Sequence, residues 1–262
     1  MFSFNNPKRD KRQVCTITGG KYDGKIVYLN GDKDNDDGQE YYDFDEMTLK
    51  GDAKFLPAVD TTGDQQEVIA FFGPMGSGKS FLMKKYLEEY KKAYPYRGIY
   101  LISKKVKDPT LDSVQGLKRV RIDETIVTDP IPYEVFKDSA VVLDDIDTFK
   151  STTKADKLIR NTLMNLKADF LELGRDLHVT SLVSSHLACK SHETKTLLNE
   201  ANRTIIYPSS GANYTYLLNK YFGFDTKQIK RIKEFDSRWV CLCRKAPQCL
   251  FTERQIMSFK DV

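Results

Sequence analysis

The sequence has no apolar run near the roughly 20 residues that cross a bilayer, no internal repeat and no low-complexity tract. Its opening, MFSFNNPKRDKR, lacks the apolar stretch of a secretory leader. These absences predict a chain with no membrane span and no secretion signal. A disulfide framework is missing too. Five cysteines (Cys15, Cys189, Cys241, Cys243, Cys249) are odd in number and scattered, which suits reduced thiols in a cytosol-like compartment. Zinc spacing is absent: His186, Cys189 and His192 read H-x-x-C-x-x-H, Cys241 and Cys243 read C-x-C, and neither matches a usual tetrahedral site. The run DKDNDDGQE puts Asp37 where a calcium loop of EF-hand type needs glycine, and no helices flank it, so it reads as an exposed acidic turn.

Charge of one sign is also scarce. A net +4 over 262 residues does not by itself argue for a nucleic-acid partner. The distribution says more. Lys8, Arg9, Lys11 and Arg12 make a basic arm, and residues 32–46 carry eight acids against Lys33. Residues 220–245 carry eight cations (Lys220, Lys227, Lys230, Arg231, Lys233, Arg238, Arg244, Lys245) against three acids. That stretch is either a patch able to meet phosphates or a solvated helix face.

Residues 1 to about 65 read as a small β-rich subdomain. VCTITGG and KIVYLNG are short β-type runs around a glycine turn, and KFLPAV is a third whose Pro57 belongs at an edge. From residue 66 to 262 the pattern is that of an α/β domain with a basic C-terminal extension. Strands are expected at 68–72, 98–103, 118–122, 140–146, 179–185 and 203–207, and helices at about 79–93, 153–173 and 193–201. The apolar strands are continuous rather than alternating, which implies a mostly parallel sheet sandwiched by helices. In the longest helix, Ala155, Leu158, Ile159, Leu163, Leu166, Phe170 and Leu173 share a stripe, and Gly174 stands at the expected stop. The tail offers helices in ANYTYLLNKYFG and TKQIKRIKEF, then β runs RWVCLCR and QCLFT that suit an antiparallel addition.

The chemistry centres on GPMGSGKS, residues 73–80, which satisfies G-x-x-x-x-G-K-[ST] at every defined position. Gly73, Pro74, Met75, Gly76, Ser77, Gly78, Lys79, Ser80 and the following Phe81 are the expected nucleotide-binding residues. The glycines let successive N–H groups turn toward a phosphate, Lys79 reaches the β- and γ-phosphates, and Ser80 offers a hydroxyl to Mg²⁺. VIAFF before it and SFLMKKYLEEYKKAY after it supply the strand and helix the motif needs, and the helix N-terminus favours an anion.

AVVLDDID is a core strand ending in paired acids. A parallel sheet gathers its strand C-termini at one edge, so Asp144 is expected beside the P-loop as a Mg²⁺ ligand. Asp145 is expected to polarise the attacking water. VTSLVSSH places His186 at the end of the next strand, as a γ-phosphate sensor or a structural hydrogen-bonder. Arg175 and Arg203 are the candidates for an arginine supplied in trans to the transferring phosphoryl group, each also readable as an ion-pair residue.

Together, GPMGSGKS, VVLDDID, DFLELGRDLHVTSLVSSH and NEANRTIIYP resemble the FtsK–HerA superfamily, and within it the genome-packaging ATPases of poxviruses and other large nucleocytoplasmic DNA viruses. The likeness covers about residues 66–240. The Gly-Arg block with its spacing is the discriminating part; the family commonly has Gln where His186 stands and Gly-Arg-His where Gly174, Arg175 and Asp176 stand. The resemblance implies an ATP-driven, ring-forming DNA translocase, a homo-pentamer or homo-hexamer with ATP between subunits, that packages double-stranded DNA into a capsid. Its implied partners are double-stranded DNA and capsid proteins, its cofactors ATP and Mg²⁺, and its locations the viral factory of the host cytoplasm and the virion. A nucleotide or nucleoside kinase, a helicase, and a nucleotide-switched binding module are the competing readings.

Overall fold

A computed structural model describes residues 2–6, 9, 11–29, 44–62, 67–149, 152–186, 192–208, 212–245, 247–259 and 262. The chain forms two units, one of residues 1–64 with 205–262 and one of residues 65–204. In chain order the first unit opens with β1 (Phe2–Ser3), β2 (Arg12–Thr18), β3 (Ile26–Leu29), β4 (Glu46–Thr48) and β5 (Lys54–Pro57). The second holds β6 (Val68–Phe72), α1 (Lys79–Ala93), β7 (Gly98–Ser103), β8 (Leu117–Arg119), α2 (Thr125–Thr128), β9 (Ser139–Asp144), α3 (Lys154–Glu172), β10 (Thr180–Ser185) and α4 (His192–Glu200), and ends within β11 (Arg203–Ile206). The chain then returns to the first unit with α5 (Ala212–Phe222), α6 (Thr226–Lys233), β12 (Val240–Cys243), β13 (Cys249–Thr252) and β14 (Gln255–Ser258).

In the first unit, β1, β3, β2 and β5 form an antiparallel sheet in that order, with Pro57 on the edge strand as its missing N–H requires. A second antiparallel run joins β12, β13, β14 and β4, with Met47 opposite Ile256. Leu49 N–H and Phe55 N–H bond the carbonyls of Arg254 and Glu253, each at 2.7 Å. The division expected near residue 65 therefore leaves out a long-range pairing: the tail belongs with the N-terminal segment, not with the P-loop domain. The acidic run at 32–43, with its calcium reading, and Lys8 of the basic arm lie outside the described residues.

The second unit positions the site. Its strands run parallel in the order β8, β7, β9, β10, β6, with β11 on the other side of β6. Every residue of β6, β9 and β10 is buried, which is why these strands read as continuous apolar runs. At roughly 1.5–3 kcal/mol per large apolar side chain removed from water, these strands alone bury a substantial core. The register sets Ser184 opposite Asp144 and Ser185 opposite Phe72, so the loops leaving β6, β9 and β10 start side by side on one edge.

α1 buries Leu82, Met83, Tyr86, Leu87 and Tyr90 at helical spacing. α3 starts with a capping box, in which Thr153 and Asp156 each accept the other's backbone N–H at 3.0 Å. Only its second half packs: Leu163, Leu166 and Phe170 are buried, while Leu158 and Leu173 at the ends of the expected stripe are 43% and 39% exposed. Gly174 follows the helix without a positive φ, and the end is closed by Leu173 N–H bonding the Asp169 carbonyl at 2.8 Å. Beneath β6, buried Glu67 takes Arg203 Nε at 2.6 Å on one oxygen and the Tyr86 hydroxyl at 2.7 Å on the other. Among the described residues no helix is long and apolar enough to cross a membrane.

Candidate active site

The loop from Gly73 to Gly78 carries the chain from the end of β6 into the first turn of α1. Gly76 and Gly78 have φ of 77° and 105°, values that a side chain disfavours and that suit a loop curled for a phosphate. Gly78 is also the N-cap of α1. Lys79 is buried, and its Nζ donates to the Gly73 carbonyl at 2.6 Å and lies 3.3 Å from that of Pro74. Burial pushes its pKa down, against the opposing pull of Asp145 and Asp144. Ser77 Oγ is buried with no hydrogen-bond partner among the described residues.

The loop opens on a cavity of about 250 Å³ lined by residues 74–81 together with Lys105, Asp108, Thr110, Asp144, Asp145 and His186. Phe81 and Met75 stand on its rim, 57% and 81% exposed. Asp144 is held on both oxygens: Ser103 Oγ donates to Oδ2 at 2.9 Å and Ser184 Oγ to Oδ1 at 2.8 Å. Ser184 Oγ also lies 3.1 Å from Asp145 Oδ1 and accepts the Asp145 N–H at 3.0 Å. A hydroxyl has one proton, so Ser184 serves the nearer Asp144 and fixes Asp145 through the backbone. Asp145 sits at φ 51°, the left-handed region, a strained placement that turns its carboxylate off the strand and into the cavity. His186 Nε2 is 3.1 Å from Asp145 Oδ2.

Asp108 is a carboxylate that the motifs do not announce. It accepts the Ser80 hydroxyl at 3.2 Å on Oδ2 and the N–H groups of Thr110 and Leu111 at 3.1 Å on Oδ1. Burial alone would raise its pKa, but the Leu111 N–H, Lys105 and Ser80 outweigh it and hold the carboxyl below its ordinary value. Lys105 Nζ lies 3.4 Å from both Asp108 Oδ2 and Asp144 Oδ2; burial works against its charge, and the two carboxylates prevail and raise its pKa. Ser103 ends β7, and Lys105 and Asp108 follow in the loop after it, at the C-terminal edge of the sheet where the site lies.

The Ser80 hydroxyl with the carboxylates of Asp144 and Asp108 makes a hard-oxygen set of the kind that takes Mg²⁺, so the residues present fit that ion. Residues 74–81, Asp144, Asp145 and His186 thus meet at one cavity, and Gly73 touches it only through its carbonyl, which accepts from Lys79 Nζ. The two arginines do not line it. Arg175 is exposed between α3 and β10, at the N-terminal edge of the parallel strands and so opposite the P-loop of its own chain. Arg203 is fully buried against Glu67, and its reading as an arginine reaching a neighbouring subunit is corrected: a guanidinium clamped in the core cannot leave it without stranding a buried carboxylate. Cys189 and the side chain of His192 lie outside the described residues.

No family model matches the chain. A protein of Sputnik virophage, Uncharacterized protein V3, is 34% identical over 256 residues, 97% of this chain and 98% of its own length. This chain belongs to the family of the virophage protein V3. Among solved structures, the pCW3 conjugation coupling protein TcpA in its monomer form with ATPγS has a TM-score of 0.52 at 12% identity, covering 96% of this chain and 78% of that one. The genome packaging NTPase B204 from Sulfolobus turreted icosahedral virus 2, in complex with AMPPCP, has a TM-score of 0.49 at 14% identity, covering 72% and 97%. The fold is therefore shared with TcpA, a mixed α/β architecture around a mostly parallel sheet.

Proposed function

We propose that this member of the V3 family is an ATP-driven DNA translocase that packages a viral double-stranded DNA genome into the capsid. The observation that carries the ATPase part is the convergence of Lys79, Ser80, Asp144, Asp145 and His186 on one cavity, with Ser77 Oγ held without a partner. The packaging part rests on the Gly-Arg block of the sequence and on a relative encoded by a virophage.

The chemistry follows from the residues. The N–H groups of Met75, Gly76 and Gly78 and the Lys79 ammonium bind the β- and γ-phosphates and offset their charge. Ser80 and Asp144 would hold Mg²⁺, which when bound would offset the charge of the phosphates. Asp145, aimed into the cavity and steadied by Ser184 and His186, accepts a proton from a water. The water oxygen bonds to the γ-phosphorus while the bond from that phosphorus to the bridging oxygen breaks, and its electron pair leaves with ADP. Arg175, exposed and at the strand edge opposite its own P-loop, would serve the site of a neighbouring subunit in a homo-pentameric or homo-hexameric ring. Such a ring would grip double-stranded DNA through phosphate contacts without reading sequence. It would work in the viral factory of the host cytoplasm and at the virion, with capsid proteins as partners.

The test is ATP hydrolysis by the purified protein with and without double-stranded DNA, beside Lys79→Ala and Asp145→Asn. DNA-stimulated turnover abolished by both substitutions supports the translocase. Turnover that ignores DNA and requires a small phosphate acceptor replaces it with a kinase.

A further inference from the structure

Lys105 is the second ammonium in the cleft and belongs to no motif. Its backbone is fixed: its carbonyl accepts from Arg119 Nη1 at 2.6 Å, and its N–H donates to Ser103 Oγ at 3.2 Å. Arg119 is in turn tied to Asp112 at 2.6 Å, and Asp112 accepts the Asp108 N–H at 2.8 Å. The frame of this loop is thus pinned at four points, while the side chain is 43% exposed and its ammonium is held only by two contacts of 3.4 Å. Those contacts fall on Asp144 Oδ2 and Asp108 Oδ2, the second of which also receives the Ser80 hydroxyl.

The ammonium therefore stands where the Mg²⁺ donors converge. A divalent cation and an ammonium sharing those oxygens repel each other strongly at a few ångströms. The nearest unsatisfied negative charge, once Mg²⁺ and a triphosphate are in the cavity, is on the terminal phosphate. We infer that Lys105 is a catalytic residue of the same site, a second lysine that leaves Asp144 and Asp108 when Mg²⁺-nucleoside triphosphate binds and contacts the γ-phosphate. It rests on reading the cleft as an ATPase site. Its consequence is discrimination: the contact exists with a triphosphate and is lost with a diphosphate, and it strengthens as charge builds on the transferring group. The opposing role is that of a fixed counter-ion to Asp144, which has no reason to distinguish the two nucleotides and whose removal should ease Mg²⁺ binding.

The experiment measures Mg²⁺-ATPγS and Mg²⁺-ADP affinity by calorimetry, and hydrolysis, for wild type, Lys105→Ala, Lys105→Met and Lys105→Arg, each checked for an unchanged thermal transition. The expected result is an about tenfold weaker Mg²⁺-ATPγS complex, Mg²⁺-ADP within about twofold of wild type, and kcat lower by about 10²-fold, as when one preorganised charge donor is removed from a transition state; Arg should restore part of it. Equal losses for both nucleotides, or tighter Mg²⁺ binding with kcat intact, overturns the assignment. If Lys105→Ala does not fold, Lys105→Met keeps the packed stem and carries the comparison. A wild type that binds ATPγS but does not hydrolyse it sinks the ATPase reading, yet the affinity comparison still decides Lys105; a wild type that binds neither nucleotide sinks both.

Discussion

His186 Nε2 and Asp145 Oδ2 are 3.1 Å apart at the mouth of the P-loop cavity, joining the end of β10 to the residue after β9. Because β10 lies between β6 and β9, a histidine at the end of β10 can touch the Asp145 carboxylate and still line the P-loop cavity. Two substitutions separate the partners. Asn tolerates the left-handed backbone of Asp145, so Asp145→Asn should fold and bind ATP but lower kcat by about 10²–10⁴-fold, the worth of a positioned base. His186→Ala should lower kcat with little change in nucleotide affinity, and His186→Gln should retain more activity than Ala, since an amide still donates to Asp145. Equal kcat for wild type and His186→Ala would reduce the histidine to a bystander.

Arg203 and Arg175 should fail in different ways. Arg203→Ala leaves Glu67 buried and uncompensated beside Tyr86, which costs about 3–5 kcal/mol and should appear as an earlier denaturant midpoint. Arg175→Ala removes an exposed side chain and should leave the midpoint unchanged.

For Arg175 the decisive measurement is mixing. If it acts on a neighbour's nucleotide, Arg175→Ala alone should lose about 10³-fold or more in turnover. Mixtures with inactive Lys79→Ala subunits should regain activity, because some interfaces then pair an intact Lys79 with an intact Arg175. No recovery at any ratio would remove Arg175 from the mechanism.

The P-loop cavity was legible because its residues are close in sequence or at strand ends. GPMGSGKS and VVLDDID carry their own geometry, and continuous apolar runs announce buried parallel strands. What stayed hidden depends on long-range pairing. Nothing in QIMS (Gln255–Ser258) reveals that it will pair with Glu46–Thr48, so the tail seemed an extension of the P-loop domain. Arg203 reads like any exposed arginine until Glu67, 136 positions earlier, closes over it. Lys105 and Asp108 needed the β7 strand to be placed beside β9 before they could be seen to face Ser80 and Asp144. The basic patch also changes on folding: Arg244 lies half-buried against the Phe222 ring and donates to the Tyr221 carbonyl at 2.8 Å, so it is committed within the fold.

Asp108 gives a pH dependence with a definite sign. Its folded pKa lies below the ordinary 3.8, so its stabilising effect is complete above that value and is lost as pH falls through the folded one. Thermal transitions of the nucleotide-free protein, followed from about pH 5 downward, should fall more steeply for wild type than for Asp108→Asn. Parallel curves would mean that the bonds from Ser80, Thr110 and Leu111 do not depend on the charge.

α6 supplies the remaining test of a DNA partner. It is closed at its start by a capping box between Asp225 and Gln228, and it buries Ile229 and Ile232. Lys227, Lys230 and Arg231 are consequently exposed at spacings of three and four, on one side of a rigid helix. If that side meets the DNA backbone, Lys227→Glu with Lys230→Glu should weaken binding to duplexes of any sequence. The slope of log K against log salt should fall by about 0.9 for each lost phosphate contact. Basal ATP hydrolysis without DNA should stay at the wild-type level, and stimulation by DNA should shift to higher DNA concentration. An unchanged salt slope would assign this face to another partner and move the DNA contact elsewhere on the protein.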